Sequence, residues 1–302
     1  MKIAITGASG LIGSALVTAL VENGHQVTKL VRPGGPVGAG SIAWAPDQGK
    51  LESAALEGFD TVFHLAGESI AEGKWTEAKK RKILESRVRS TSLLCGRLKN
   101  LSSPPSVAVF ASAIGIYGNR GDDELTEEST PGEGFLATVT KEWEAASEIL
   151  ADTAIRVVKL RFGVVLSEKG GALPAMIKPF KLGLGGKIGR GTQYISWISI
   201  DDVINIMQFV IREDQLRGPI NAISPNPVTN AEFTTALGQA LNRPSAASVP
   251  AFAIRLMVGR EMADEMLLAS TRVIPKKLQD AGYRFLFPYL QEALRYHIER
   301  LK

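Results

Sequence analysis

Apolar residues open the chain as a short run, Ile3-Ala4-Ile5, between Lys2 and Thr6. The chain then passes through Gly7, Gly10 and Gly13 into a helix-spaced series, Leu11, Ile12, Ala15, Leu16, Ala19 and Leu20. A short apolar run bounded by glycine predicts a buried strand, and paired apolar positions every fourth residue predict a helix packed by one face. The rhythm continues. Strands are predicted over residues 26–31, 41–44, 60–67, 107–112 and 155–161, and helices over 76–98 and 136–151, with Asn23-Gly24 stopping the first helix. The 60–67 run is almost continuously apolar, as strands covered on both faces are. Strands alternating with helices predict a doubly wound parallel α/β sheet with the ligand beyond its carboxyl ends.

After residue 163 the pattern changes. Gly183, Gly185, Gly186, Gly189 and Gly191 predict an irregular or mobile loop, and the proline- and glycine-rich stretch 33–40 reads as a loop. Residues 195–200 and 220–223 read as strands, Asp201-Asp202 suit the first turn of a helix, and Thr229 with Glu232 spells a capping box for a helix through Leu241. The stretches 252–257, 261–270 and 289–301 read as mainly helical. The expected organisation is a dinucleotide-type domain over 1–165, to which 195–223 return, and a smaller discontinuous substrate or lid domain made of 166–194 and 224–302.

Composition narrows the function. With 302 residues, 45% of them hydrophobic, the chain can bury a full core. The apolar run at 155–160 is broken by Arg156 and Lys159, so no membrane association is expected. A strand beginning at Lys2 leaves no room for a targeting segment ahead of it, and the single cysteine, Cys95, excludes an internal disulfide and a cysteine metal cluster. A cytoplasmic location and no metal are the expectations. A net charge of +4 is small for a nucleic-acid partner, and Lys79-Lys80-Arg81-Lys82 reads as the solvated face of a helix. His64, in mid-strand, reads as a satisfied core histidine.

Strand, glycine turn, helix is the order of a Rossmann dinucleotide site. Gly7 suits the tight turn, Gly10 lets a pyrophosphate approach the main chain, and Gly13 lets the helix pack closely; Ser9, Leu11 and Ile12 share the turn where helix N–H groups meet an anion. Arg32 ends the second strand nineteen residues past Gly13, where an acid would bind a ribose 2′-hydroxyl. A guanidinium there suits a 2′-phosphate, so the cofactor predicted is NADP (NADPH).

With Thr6-Gly7-Ala8-Ser9-Gly10-Leu11-Ile12-Gly13, His64-Leu65-Ala66-Gly67 and the segment 112–118 all in order, the chain resembles the extended short-chain dehydrogenase/reductases. Leu65-Ala66-Gly67-Glu68, Trp75, Ser86-Arg87, Trp143-Glu144, Gly183-Leu184-Gly185-Gly186 and Ser196-Trp197-Ile198 resemble a subgroup of epimerase-family proteins of unassigned substrate, whose descriptions also include a cell-division inhibitor. The resemblance implies that Leu65, Ala66 and Gly67 line the adenosine and ribose side of the cofactor. It implies that Arg87, where most extended members have asparagine, reaches a cofactor phosphate or ribose; a surface salt bridge is the competing reading. It also implies that 163–165, with Val165, bring backbone groups to the nicotinamide carboxamide.

The family's catalytic Tyr-x-x-x-Lys pair is incomplete. Lys141 has Ala137 four residues before it, no tyrosine occurs between Tyr117 and Tyr194, and another register gives the lysine place to Thr140. Ser112, one residue before the usual serine position filled by Ala113, is the expected hydrogen-bond donor to a developing oxyanion. Tyr117 is either core or a second candidate, and Tyr194 a residue entering from the second domain. The expected function is an NADP-binding oxidoreductase or epimerase acting on a small carbonyl or hydroxyl substrate; the alternative is an NADP(H)-binding regulatory or redox-sensing protein without the usual Tyr-Lys catalysis.

Overall fold

Seven parallel strands build the central sheet of the computed structural model, which describes residues 1–32 and 40–301. They are β1 Lys2–Thr6, β2 Gln26–Val31, β3 Ser41–Ala43, β4 Thr61–His64, β5 Val107–Ala113, β6 Arg156–Phe162 and β7 Gly218–Ala222. Their spatial order is β3-β2-β1-β4-β5-β6-β7, every neighbouring pair parallel, so the chain reverses direction across the sheet between β1 and β4. The helices used below are α1 Leu11–Glu22, α2 Glu77–Leu98, α3 Phe135–Ala145, α4 Ala172–Lys181, α5 Ile200–Arg212 and α6 Asn230–Leu241.

Successive side chains on a strand point to opposite faces, and this period of two divides the core. Ile3, Ile5, Phe63 and Val109 pack with Leu16 and Leu20 of α1 and Val203 and Met207 of α5. Ala4, Val62, Ala108 and Phe110 pack on the other face with Leu94 and Leu98 of α2. Each fully buried leucine or phenylalanine contributes about 1.5–3 kcal/mol relative to exposure. A separate core joins Leu173, Ile177 and Phe180 of α4 to Phe233 and Leu237 of α6, Trp197, and Leu290, Leu294 and Ile298 of the helix Leu290–Glu299.

Several segments differ from their sequence reading. The glycine-rich stretch is packed rather than loose: Gly186–Ile188 forms a strand parallel to Ala247–Val249, a Cβ on Gly186 would stand 2.3 Å from the Ala247 carbonyl oxygen, and one on Gly185 would stand 2.4 Å from the Phe180 ring. The glycines are there because two chain segments and a ring approach closely. The expected strand 195–200 is split into Tyr194–Ile195 and Trp197–Ser199, the latter paired with Val164–Leu166 outside the main sheet. Ser196 interrupts it, donating to the Thr271 carbonyl at 2.8 Å and accepting from the Val273 N–H at 2.9 Å. Helix α3 stops at Ala145 and continues as a tighter turn, Ala146–Leu150, in which the Ser147 hydroxyl bonds the Glu144 carbonyl. Of the expected 33–40 loop, residues 33–39 lie outside the described residues.

The C-terminal region reaches back onto α2 and α3. Helix α3 begins at Gly134 without a side-chain cap of its own, and the Glu265 carboxylate accepts the Phe135 and Leu136 N–H groups, each at 2.7 Å. Lys80 on α2 pairs with Glu77 at 2.8 Å and with Glu261 at 3.1 Å. Among the described residues no helix is long and apolar enough to cross a membrane.

Candidate functional site

The turn after β1 has little freedom. Gly7 has φ of +69°, and a Cβ on it would lie 2.7 Å from the Leu65 carbonyl carbon; a Cβ on Gly13 would lie 2.1 Å from the Gly7 oxygen. Both glycines are demanded by the chain's own packing. Gly10 is different: its φ is −74°, and an added Cβ would meet only the Gly7 oxygen, at 3.4 Å. Its bareness serves the space outside. Gly10 also caps α1 without a side-chain hydrogen bond, so no capping side chain takes the first N–H groups of that helix.

That space is a cleft of about 810 Å³ at the carboxyl ends of the strands, at the β1–β4 reversal, a size usual for small-molecule and cofactor sites. It brings together Gly7, Ser9 and Gly10 after β1, Arg32 after β2, and Leu65, Ala66 and Gly67 after β4. Leu11 and Ile12 instead pack on the first core, Gly13 is buried under the turn, and Arg87 and Val165 are not among the lining residues. The Val164 N–H is taken by the Ser196 carbonyl at 2.9 Å, so the backbone at 163–165 is already partly engaged.

Sequence reading missed one wall. Arg81, Lys82, Glu85 and Ser86 line the cleft from α2, and Lys29, Trp44 and Asp47 line it from the β2–β3 side. The basic run 79–82 is solvated at Arg81 and Lys82, which are exposed, and also forms part of the cleft wall. Lys79 pairs with Glu68 at 2.8 Å, Lys80 holds Glu77 and Glu261, and Arg81 and Lys82 face the cleft. The spacing of 78, 81, 82, 85 and 86, one helical face, was the available signal. The Lys79 ammonium beside Glu68 holds its carboxylate below the usual range, and Lys82, at 3.3 Å, adds to this.

Behind the cleft, His64 ties three elements together. Thr6 Oγ1 accepts the Leu65 and Ala66 N–H groups at 3.1 and 3.3 Å, so its own proton goes to His64 Nδ1 at 2.7 Å. Nε2 then carries the ring proton and donates to Ser90 Oγ at 3.1 Å, and Ser90 donates to the Ser86 carbonyl. His64 is fully buried, a satisfied core histidine, and burial lowers its pKa to about 3. The unfolded chain therefore binds the extra proton between pH about 6.5 and about 3, and stability falls as pH falls through that window. A shift of this size costs roughly 3 kcal/mol by pH about 4. Chemical denaturation should show His64→Asn losing less stability than the unmodified protein between pH about 6.5 and about 4; equal losses would refute the assignment.

The three candidate catalytic side chains lie elsewhere. Ser112 is 3% exposed and donates to Glu144 Oε1 at 2.5 Å. Glu144 is clamped by Arg161, whose Nε and Nη2 donate to its two oxygens at 2.8 and 2.9 Å, while Nη1 donates to Tyr117 Oη at 2.8 Å. Tyr117, fully buried, donates in turn to Asn221 Oδ1 at 2.7 Å, and burial pushes its phenol upward. The Ser112 proton is committed to a carboxylate, so this hydroxyl offers lone pairs where an oxyanion needs a donor. Lys141 is exposed on α3, and Ala137, at the family tyrosine's place, is 3% exposed.

Strand order, glycine turn and cleft define a Rossmann-type α/β protein of the extended short-chain dehydrogenase/reductase kind. The chain belongs to the NAD dependent epimerase/dehydratase family, whose model matches residues 3–222; a domain of unknown function, DUF1731, matches residues 249–296. An epimerase family protein of Mycobacterium bovis is 42% identical over 298 residues, 99% of this chain and 98% of that protein. The crystal structure of human epimerase family protein SDR39U1 with NADPH is similar over 100% of both chains, with a TM-score of 0.91 and 34% identity. A nucleoside-diphosphate sugar epimerase from Corynebacterium glutamicum gives a TM-score of 0.80 at 35% identity, over 99% of this chain and 58% of that one.

Proposed function

We propose that the chain binds NADP(H) in the cleft at the β1–β4 reversal and acts as an oxidoreductase or epimerase on a small carbonyl or hydroxyl compound. The observation that carries this reading is Arg32, a cation lining the cleft at the end of β2 where an NAD-selective site has an acid. The adenosine and its 2′-phosphate would lie against the ends of β2 and β3, with residues 65–67 along the adenosine and ribose side and the pyrophosphate over Gly10 and the α1 N-terminus. The nicotinamide would then extend toward the ends of β5 and β6. Hydride transfer belongs to the cofactor, and the chain supplies position and charge. The NADPH-bound human relative supports the same cofactor choice.

Titration with NADPH and NADH tests the reading. NADPH is expected to bind more tightly, and Arg32→Asp to weaken NADPH by about 10- to 100-fold, the loss of a charge-assisted phosphate contact, with little change for NADH. Equal affinities of the unmodified protein for both nucleotides would sink it. A second reading, an NADP(H)-dependent regulatory or redox-sensing protein, is favoured by the Ala137 at the tyrosine's place and by the engaged Ser112. Sustained NADPH oxidation with a member of a carbonyl panel supports the enzyme; tight NADPH binding without turnover supports the sensor.

A further inference from the structure

Arg87 has more hydrogen-bonding capacity than the chain uses. Its guanidinium lies over the Trp143 ring, 5.1 Å from the centroid, and Nη1 donates to the Ile83 carbonyl at 3.0 Å. A guanidinium has five N–H groups. Among the described residues, Arg87 makes no other hydrogen bond and no ion pair. Glu68, the acid that acts on it electrostatically, is already held by Lys79 and Lys82. Burial pushes the Arg87 guanidinium down to about 10, the response of a cation that has lost water without gaining a counter-ion. Among the described residues, the buried side-chain nitrogen and oxygen atoms left without partners are Thr61 Oγ1, Arg97 Nε and Glu127 Oε2, so the unused Arg87 N–H groups are not sealed from solvent.

Position decides which ligand this cation meets. A Cβ on Gly67 would stand 3.3 Å from Arg87 Cζ and 3.4 Å from Nη2, so the guanidinium lies directly against the chain at the end of β4. Its stacking partner, Trp143, belongs to α3. The group therefore sits between α2 and α3, behind the Gly67 backbone that lines the cleft after β4, whereas Arg32 lines the cleft from the end of β2 on the other side of β1. A single guanidinium matches one negative charge through two parallel hydrogen bonds, the geometry of a carboxylate.

We infer that Arg87 is an anion-binding residue beside the cleft, behind Gly67, and that the substrate is a carboxylate-bearing carbonyl or hydroxyl compound. This rests on the NADP(H) reading above for the side of the cleft it assigns to substrate. Trp143 holds the guanidinium by its ring face, and the absence of a side chain on Gly67 leaves it room.

The test titrates the protein, with and without NADPH, against malonate, acetate and inorganic phosphate, following the thermal midpoint and, with cofactor, NADPH fluorescence. Malonate or acetate is expected to bind saturably, Arg87→Gln to weaken that binding at least about tenfold, and Arg87→Lys to keep part of it. NADPH affinity should stay within about twofold in both variants. The proposal is overturned if neither carboxylate binds the unmodified protein, if Arg87→Gln leaves carboxylate binding unchanged, or if, with NADPH bound, Arg87→Gln weakens phosphate binding more than carboxylate binding. It is also overturned if Arg87→Gln weakens NADPH tenfold, which would make the guanidinium a cofactor ligand. Absent NADPH binding removes the cofactor reading alone, because the dependence of carboxylate binding on Arg87 is read separately without the nucleotide. The thermal midpoint of each variant shows that it folds, and Arg87→Lys retains the charge should Arg87→Gln not fold.

Discussion

Replacing Arg161 by methionine is expected to lower folding stability by about 3–5 kcal/mol, because the Glu144 carboxylate would remain inside the protein with its charge unmatched. Arg161 and Glu144 expose 7% and 11% of their side chains, and the pair is bidentate. Tyr117 would lose the donor to its hydroxyl as well, leaving only its bond to Asn221. The double variant Arg161→Met with Glu144→Leu is expected to recover most of the loss, since a buried ion pair exchanged for apolar side chains is often close to neutral. Urea unfolding of the two single variants and the double variant closes the cycle. Additive losses would mean that the two side chains do not act as a pair, and the network would not be what joins the ends of β5, β6 and β7.

The second large effect separates the glycines of the turn. Gly13→Ala places a Cβ 2.1 Å from the Gly7 oxygen and 2.9 Å from the Ala8 Cα, both main-chain atoms that cannot swing aside. The turn or the helix start must move, so both the thermal midpoint and NADPH affinity are expected to collapse, the affinity by about 100-fold or more, as a misplaced helix terminus forfeits several phosphate contacts. Gly10→Ala meets nothing nearer than 3.4 Å and keeps an ordinary backbone conformation. It should leave stability within about 1 kcal/mol and still weaken NADPH by about tenfold or more through crowding of the pyrophosphate. Thermal melts paired with fluorescence titration distinguish the two. A Gly10→Ala protein binding NADPH as well as the unmodified one would move the pyrophosphate away from this turn.

The surroundings of β1 and β4 were legible because their signals are local. Ile3-Ala4-Ile5 and Val62-Phe63 are apolar on both faces since both faces are covered, and Gly7 and Gly13 are glycines because neighbouring backbone allows nothing else. The segments after residue 163 were less legible because their determinants are distant. Nothing near Gly186 in sequence announces that Ala247 will lie against it, and nothing near Ser196 announces its bonds to Thr271 and Val273. At the candidate site, Arg32 was readable from its distance to the glycine turn, whereas Arg81 and Lys82 were hidden in a run whose four cations divide between ion pairs and the cleft. Ser112 was chosen for its place at a strand end, and the carboxylate that takes its proton comes from a helix thirty-two residues later.

Glu265 carries a consequence for what counts as one module. The family model ends at residue 222 and the DUF1731 match begins at 249, yet the first turn of α3, inside the former, is completed by a carboxylate supplied from inside the latter. A fragment cut between the two matches would leave the Phe135 and Leu136 N–H groups without that acceptor and Lys80 without Glu261. The inherited segments are thus separable as text but cooperative as matter: neither can change its sequence at these contacts without the other registering the change.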